Sequence, residues 1–113
     1  MREFEVTKTL FNKTLDQVRS AGGKVLRIHI VLGEISELDS EKIREYWSDF
    51  SRDTLLEPAE LLFRFIEGEV QCMACFKKYL PQHGRIHCPH CGSFGAKILS
   101  GEEFYVEKIE TVD

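Results

Sequence analysis

Four cysteines, Cys72, Cys75, Cys88 and Cys91, form two C-x2-C pairs separated by twelve residues, and in this 113-residue chain their type and spacing imply chemistry most directly. A C-x2-C turn aims two sulfurs at one point, and two such turns complete a tetrahedron around an ion at metal–sulfur distances near ~2.3 Å. Thiolate sulfur is soft and selects zinc over harder ions. Within Cys88-Pro89-His90-Cys91-Gly92, proline fixes one torsion and glycine permits a positive one, as a tight turn requires. Four protein sulfurs leave no position for water, so the expected Zn²⁺ is structural rather than hydrolytic. Two disulfides would suit an oxidising compartment, but the chain start carries no export signal. A thioredoxin-like redox pair would open a helix after a strand and would not come twice. An iron–sulfur site also takes four thiolates and stays open at this level. His87 and His90 adjoin the second pair; with four sulfurs available they are expected as solvated loop residues.

No other group of residues suggests catalysis. The chain has no Gly-rich phosphate loop, no nucleophile elbow and no HExxH, so a non-enzyme is expected. Gly22-Gly23 and Gly33 read as turns. His29 lies on the polar side of a strand, where a solvent-facing or locally hydrogen-bonded ring is expected, and Glu102-Glu103 reads as strand-edge charge.

The cysteines must be positioned by the elements around them. Phe4, Phe11, Leu15 and Val18 fall on one face of a helix from about Glu3 to Ala21, flanked by Val6 and Leu10, and Gly22-Gly23 stops it. From Lys24 to Leu32 the chain alternates, with Leu26, Ile28, Ile30 and Leu32 opposite Arg27 and His29, as in a half-buried strand. Asp39 or Ser40 can cap a second helix in which Ile43, Tyr46, Trp47 and Phe50 recur at helical spacing, ending near Arg52 or Asp53. Thr54 to Pro58 reads as a loop. Ala59, Leu61, Phe63 and Phe65 then alternate as a second strand, and Glu103 to Glu110 closes the sheet after a Ser100-Gly101 turn. The expected fold class is α/β (α+β): two helices packed on a small three-stranded sheet, with an inserted four-cysteine zinc-ribbon domain. The domains are then 1–69 plus 100–113, and 70–99. Val70, Phe76, Tyr79, Leu80, Ile86 and Phe94 of the insert are too few to offset the entropy of ordering it, so it needs a cross-link or a metal.

Charge divides along the same line. Residues 70–99 hold Lys77, Lys78, Arg85, Lys97 and no acid, whereas the remainder has eleven bases against nineteen acids. Four thiolates on Zn²⁺ return about −2 to the basic segment, so attraction to phosphate is modest and nucleic acid is not the expected main partner. A zinc-ribbon nucleic-acid binder using Lys77, Lys78 and Arg85 with Phe76 and Tyr79 is the remaining alternative of that class. No apolar run approaches the ~20 residues of a membrane span. The start, Met1-Arg2-Glu3-Phe4-Glu5, has neither the basic lead nor the apolar centre of a secretion signal, so a soluble cytoplasmic protein without membrane contact is expected.

The order of elements carries further detail: Val31-Leu32-Gly33-Glu34-Ile35-Ser36 ending the first strand, Trp47 and Phe50 on the second helix, and Thr54-Leu55 before Glu57-Pro58-Ala59-Glu60. The CxxC-x12-CPxCG ribbon and a strand after Ser100-Gly101-Glu102 complete it. Over essentially the whole chain this resembles the HypA/HybF family of hydrogenase-maturation nickel metallochaperones. The ribbon alone is shared with many proteins; the LGE-I-S segment and the position of the insert are more specific. The resemblance implies an α/β nickel-binding-type domain with an inserted zinc domain. It also implies a nickel-insertion GTPase partner of the HypB type, delivery of Ni²⁺ to the large subunit of a NiFe hydrogenase or to urease, and a monomer or weak homodimer. It implies nickel bound at the extreme amino terminus, by the terminal amine, backbone amides and an imidazole, donors suited to square-planar Ni²⁺. Family members mostly begin Met-His-Glu, whereas here position 2 is Arg2, whose guanidinium stays protonated and cannot coordinate. The Met1 amine, the Arg2 and Glu3 amides and the Glu3 carboxylate are left as a weakened nickel site, with His29, His83, His87 or His90 as remote substitutes. A paralogue that keeps the ribbon as a protein-interaction scaffold and has lost nickel binding is the second reading.

Overall fold

The computed structural model describes residues 2–81 and 87–112. The element order is α1 (Arg2–Ala21), β1 (Lys24–Gly33), a 3-10 turn (Glu34–Ser36), α2 (Ser40–Ser51), β2 (Glu60–Ile66), β3 (Glu69–Cys72), β4 (Lys78–Tyr79), β5 (Ala96–Ser100) and β6 (Phe104–Val112). The strands form two three-stranded sheets, ordered β2-β1-β6 and β4-β3-β5. This is the expected α+β architecture, with a second small sheet around the cysteines. Among the described residues no helix is long and apolar enough to cross a membrane.

The chain forms two compact units. The first comprises Met1–Val31, Leu38–Arg64 and Tyr105–Asp113; the second comprises Leu32–Glu37 and Phe65–Phe104. In the first, α1 buries Phe11, Leu15 and Val18, and α2 buries Ile43 and Trp47. Their stripes meet as interlocked rings: Phe11 stands edge-on to Trp47 at 5.1 Å between centroids, and Phe4 edge-on to Tyr46 at 5.3 Å and to Phe50 at 5.5 Å. Edge-to-face pairs set the positive ring rim against a negative ring face and add to the burial itself. Asp39 caps α2, its side chain accepting from the Glu41 amide at 2.9 Å. Asp53, with φ 62, turns the chain just past the end of α2.

Two sequence expectations about the core need correction, and one loop residue joins it. Leu26 is exposed, and Val25 is buried in its place at the start of β1. Phe65, placed with Leu61 and Phe63 on the apolar side of the second strand, is 59% exposed at the end of β2. The Thr54–Pro58 loop is observed, and its Leu56 is buried at 1% exposure. The reason lies in hydrogen bonds that alternation does not encode. Thr54 donates from its amide and hydroxyl to the Ser51 carbonyl, the Leu56 amide donates back to the Thr54 hydroxyl, and this run of turns carries Leu56 inward.

The polar side of this unit is an ion-pair network. Arg64 forks onto Glu107 at 2.8 and 2.9 Å, Arg27 reaches Glu60 and Glu110, and His29 Nε2 lies 2.5 Å from Glu110. His29 is thus locally hydrogen-bonded, as expected. The guanidinium of Arg64 holds the Glu107 carboxyl below its usual range, and the bond to His29 does the same for Glu110.

Candidate metal centre

In the second unit, β3 is the central strand. Val70 pairs with Tyr79 and Ile98, and Gln71 with Lys78 and Lys97, which turns Val70, Cys72 and Tyr79 to one side. Those residues and Cys88 form a small buried core, with Ile35, Cys75 and Ala96 packed against it.

Each cysteine pair sits on a turn of the same construction. In the first, the Phe76 amide donates to the Cys72 carbonyl at 3.0 Å and the Cys72 amide to the Lys77 carbonyl at 2.9 Å. In the second, Gly92 donates to Cys88 and Cys88 to Ser93, both at 2.9 Å. The residue after each second cysteine has positive φ, 63° at Phe76 and 82° at Gly92. Amides then point at sulfur: Ala74 and Cys75 donate to Cys72 Sγ at 3.3 and 3.5 Å, and His90 to Cys88 Sγ at 3.4 Å. Such bonds favour the thiolate, the form a metal binds.

All four sulfurs lie within 4.8 Å of one another, and Cys72–Cys91 and Cys75–Cys88 are 3.5 and 3.7 Å apart. A tetrahedron with metal–sulfur bonds of ~2.3 Å has an edge of about 3.8 Å, which these two spacings match, so the four sulfurs are gathered as a Zn²⁺ site requires. These spacings are far beyond the ~2.05 Å of a disulfide, and the four cysteines are free. Hydrogen bonds from Ser93 bring the Cys91 thiol down to about 6, and those from Cys75 and Ala74 lower Cys72. At Cys75 the Lys77 amide lowers the value, but burial and the neighbouring Cys72, Cys88 and Cys91 sulfurs outweigh it and push the thiol up to about 11. A cluster in which one sulfur sheds its proton easily and another resists is completed as four thiolates by a cation.

Among the described residues no histidine joins this group. The exposed His87 ring stacks on Phe94 at 4.7 Å, and His90 contributes its backbone amide. At the amino terminus, Arg2 is exposed in the first turn of α1. The Glu3 carboxylate accepts from the Asp39 amide at 3.0 Å, a bond that holds it below the usual carboxylate range. First-turn amides of a helix have no acceptor within the helix, and that of Glu3 bonds its own carboxylate, which lowers that group further. Met1, His83, Arg85 and Ile86 lie outside the described residues.

Two features of the centre escape a reading by motif. Phe76 adopts the conformation that glycine adopts at Gly92, and aromatic residues give no signal for it. Ile35 packs on the cysteine core from a segment more than thirty residues upstream; the adjoining Gly33 marked a turn without revealing the contact.

Residues 1–111 match the family described as "HypA: Hydrogenase/urease nickel incorporation, metallochaperone, hypA". The hydrogenase maturation factor HypA of Caldanaerobacter subterraneus subsp. tengcongensis is 30% identical over 112 residues, covering 97% of this chain and 98% of that protein. The factor of the same name from Geobacter metallireducens is 36% identical over 94 residues, covering 81% and 84%. In fold, the chain is similar to the solution structure of the Ni metallochaperone HypA from Helicobacter pylori, with a TM-score of 0.68 at 21% identity and 97% of each chain covered.

Proposed function

Because the chain belongs to the HypA family of hydrogenase/urease nickel-incorporation metallochaperones, we propose that it is a hydrogenase maturation factor that carries Ni²⁺ as cargo and holds Zn²⁺ as a resident structural ion. The observation that carries the reading is the family match along residues 1–111 joined to a four-sulfur cluster of tetrahedral dimensions. Cys72, Cys75, Cys88 and Cys91 hold the zinc. It supplies the cross-link that a core as small as Val70, Cys72, Tyr79 and Cys88 requires.

Nickel binds at the amino terminus, through the Met1 amine, the amides of Arg2 and Glu3, and the Glu3 carboxylate. That carboxylate is ionised at neutral pH, as carboxylates ordinarily are, and its bond to the Asp39 amide lowers its proton affinity further. No imidazole stands at position 2, and the fixed charge of Arg2 opposes a second cation, so the site is weaker than one built with histidine. A weak site suits a carrier that must release its ion. The recipients follow from the family: a HypB-type GTPase and the large subunit of a NiFe hydrogenase or urease, met in the cytoplasm by a monomer or weak homodimer. Its work is binding and transfer, not catalysis. Arg2 also favours a second reading, in which a paralogue keeps the zinc scaffold and has lost nickel.

Metal analysis of protein with its native Met1, beside Arg2→His, separates the two. The carrier reading expects one zinc and one nickel per chain in both proteins, with tighter nickel in Arg2→His. Wild type that takes up no nickel at micromolar free metal, while Arg2→His does, establishes the scaffold instead.

A further inference from the structure

The segment Gly33–Ser36 supplies no sulfur, yet it is locked against the residues that do. Three glycines meet there at distances that exclude any side chain. A Cβ on Gly33 would lie 2.1 Å from the carbonyl carbon and oxygen of Gly101, one on Gly68 would lie 2.4 Å from Ile35 Cγ1, and one on Gly101 would lie 2.6 Å from Gly68 Cα. Gly101 also has φ 108, a conformation other residues rarely adopt. Hydrogen bonds close the junction. The Ile35 and Ser36 amides both donate to the Gly101 carbonyl at 2.7 and 3.0 Å, Gly33 donates to Glu103 at 2.7 Å, and the Gly68 amide donates to the Glu34 carboxylate at 3.1 Å. The Ser36 hydroxyl donates to the Gly33 carbonyl at 2.7 Å. Ile35 is therefore held on its backbone side by Gly101 and wedged between Gly68 and Gly101. Its side chain also packs against the core of Val70, Cys72, Tyr79 and Cys88.

We propose that Ile35 is a positioning residue for the zinc centre, linking closure of the Gly33–Gly68–Gly101 junction to the placement of Cys72 and Cys88. Metal affinity depends on how far the ligands are held in place before the ion arrives, and outer partners that orient ligands commonly change it by about tenfold or more. The cluster against which Ile35 packs contains one cysteine from each knuckle, Cys72 and Cys88, so loss of that packing loosens both halves of the tetrahedron. By reciprocity, zinc must tighten the junction by the same factor by which the junction tightens zinc. The segment Gly33–Ser36 thus orders or loosens with metal occupancy, although it carries no ligand.

The proposal rests on zinc at the four cysteines, so its test begins with zinc-loaded wild type; protein that binds no zinc there defeats both readings. Zinc release to a chromophoric chelator is compared for wild type, Ile35→Ala, Ile35→Val and Gly101→Ala. Release about tenfold faster from Ile35→Ala and Gly101→Ala, and near wild type from Ile35→Val, supports it. Release at the wild-type rate from zinc-replete Ile35→Ala and Gly101→Ala overturns it and leaves the zinc assignment intact. Hydrogen exchange on wild type alone decides the matter if the variants fail to fold. Stripping zinc must strip protection from the Ile35 and Ser36 amides together with Cys72 and Cys88; retained protection at Ile35 and Ser36 overturns the proposal.

Discussion

Phe76 and Gly92 occupy equivalent places, each one residue past the second cysteine of its pair and each with positive φ. For a residue with a Cβ that conformation costs roughly 1–2 kcal/mol, which glycine avoids. Phe76 is 64% exposed, so it recovers little of that cost by burial. Gly92→Ala is expected to destabilise the zinc-loaded protein by about 1–2 kcal/mol, and Phe76→Gly to leave it unchanged or up to ~1 kcal/mol more stable, measured by thermal unfolding. A stable Gly92→Ala protein would mean that backbone strain does not limit the knuckle. The glycine was legible from sequence and the phenylalanine was not, because the shared conformation follows from two turns built with the same backbone hydrogen bonds. Glu3 is similar. Its place in a first helical turn is plain, but its bond to the amide of Asp39, thirty-six residues away, belongs to the folded chain.

Among the elements, helices were read more accurately than strands. A helix stripe repeats over many residues, so Phe11, Leu15, Val18, Ile43 and Trp47 could be assigned to the interior from spacing alone. A strand offers few repeats, and at its ends either neighbour can be the buried one, as Val25 and Leu26 illustrate. Phe65 fails for the same reason at the end of β2. The helix pair supplies the rigid part of the first unit, and Phe11, 4% exposed and touching both Trp47 and Phe50, is its centre. Phe11→Ala is expected to cost about 3–5 kcal/mol, read as a lower urea midpoint. A loss under ~1 kcal/mol would show that the ring is not the keystone of α1 against α2.

At the scale of the whole molecule, the two units have different sources of stability. The first buries helix stripes and the centre of β1; in the second, among the described residues, the cluster around the site has four buried members, of which two are cysteines. The basic segment 70–99 would repel itself less once thiolates and zinc are in place, since the site adds about −2. Removal of zinc by a strong chelator under reducing conditions is therefore expected to collapse the amide dispersion of residues 65–104 while the helical circular dichroism persists. Loss of both signals together would mean that the units fold as one. Retention of both would mean that the cysteine unit is stable without metal.

Composition, spacing and punctuation were enough to establish two amphipathic helices, a cysteine insert between strands and a set of four sulfurs spaced for one ion. Each is a local or periodic property, decided by a residue and its near neighbours. Only the tertiary structure decided that Leu56 turns inward, that Phe76 mirrors Gly92, and that Gly33, Gly68 and Gly101 close around Ile35 beside the sulfurs. Leu56 depends on nearby turn bonds that hydrophobic alternation does not encode, whereas the glycine junction joins positions far apart in the chain, and its free energy comes from steric fit and paired backbone groups that exist only once the segments have met.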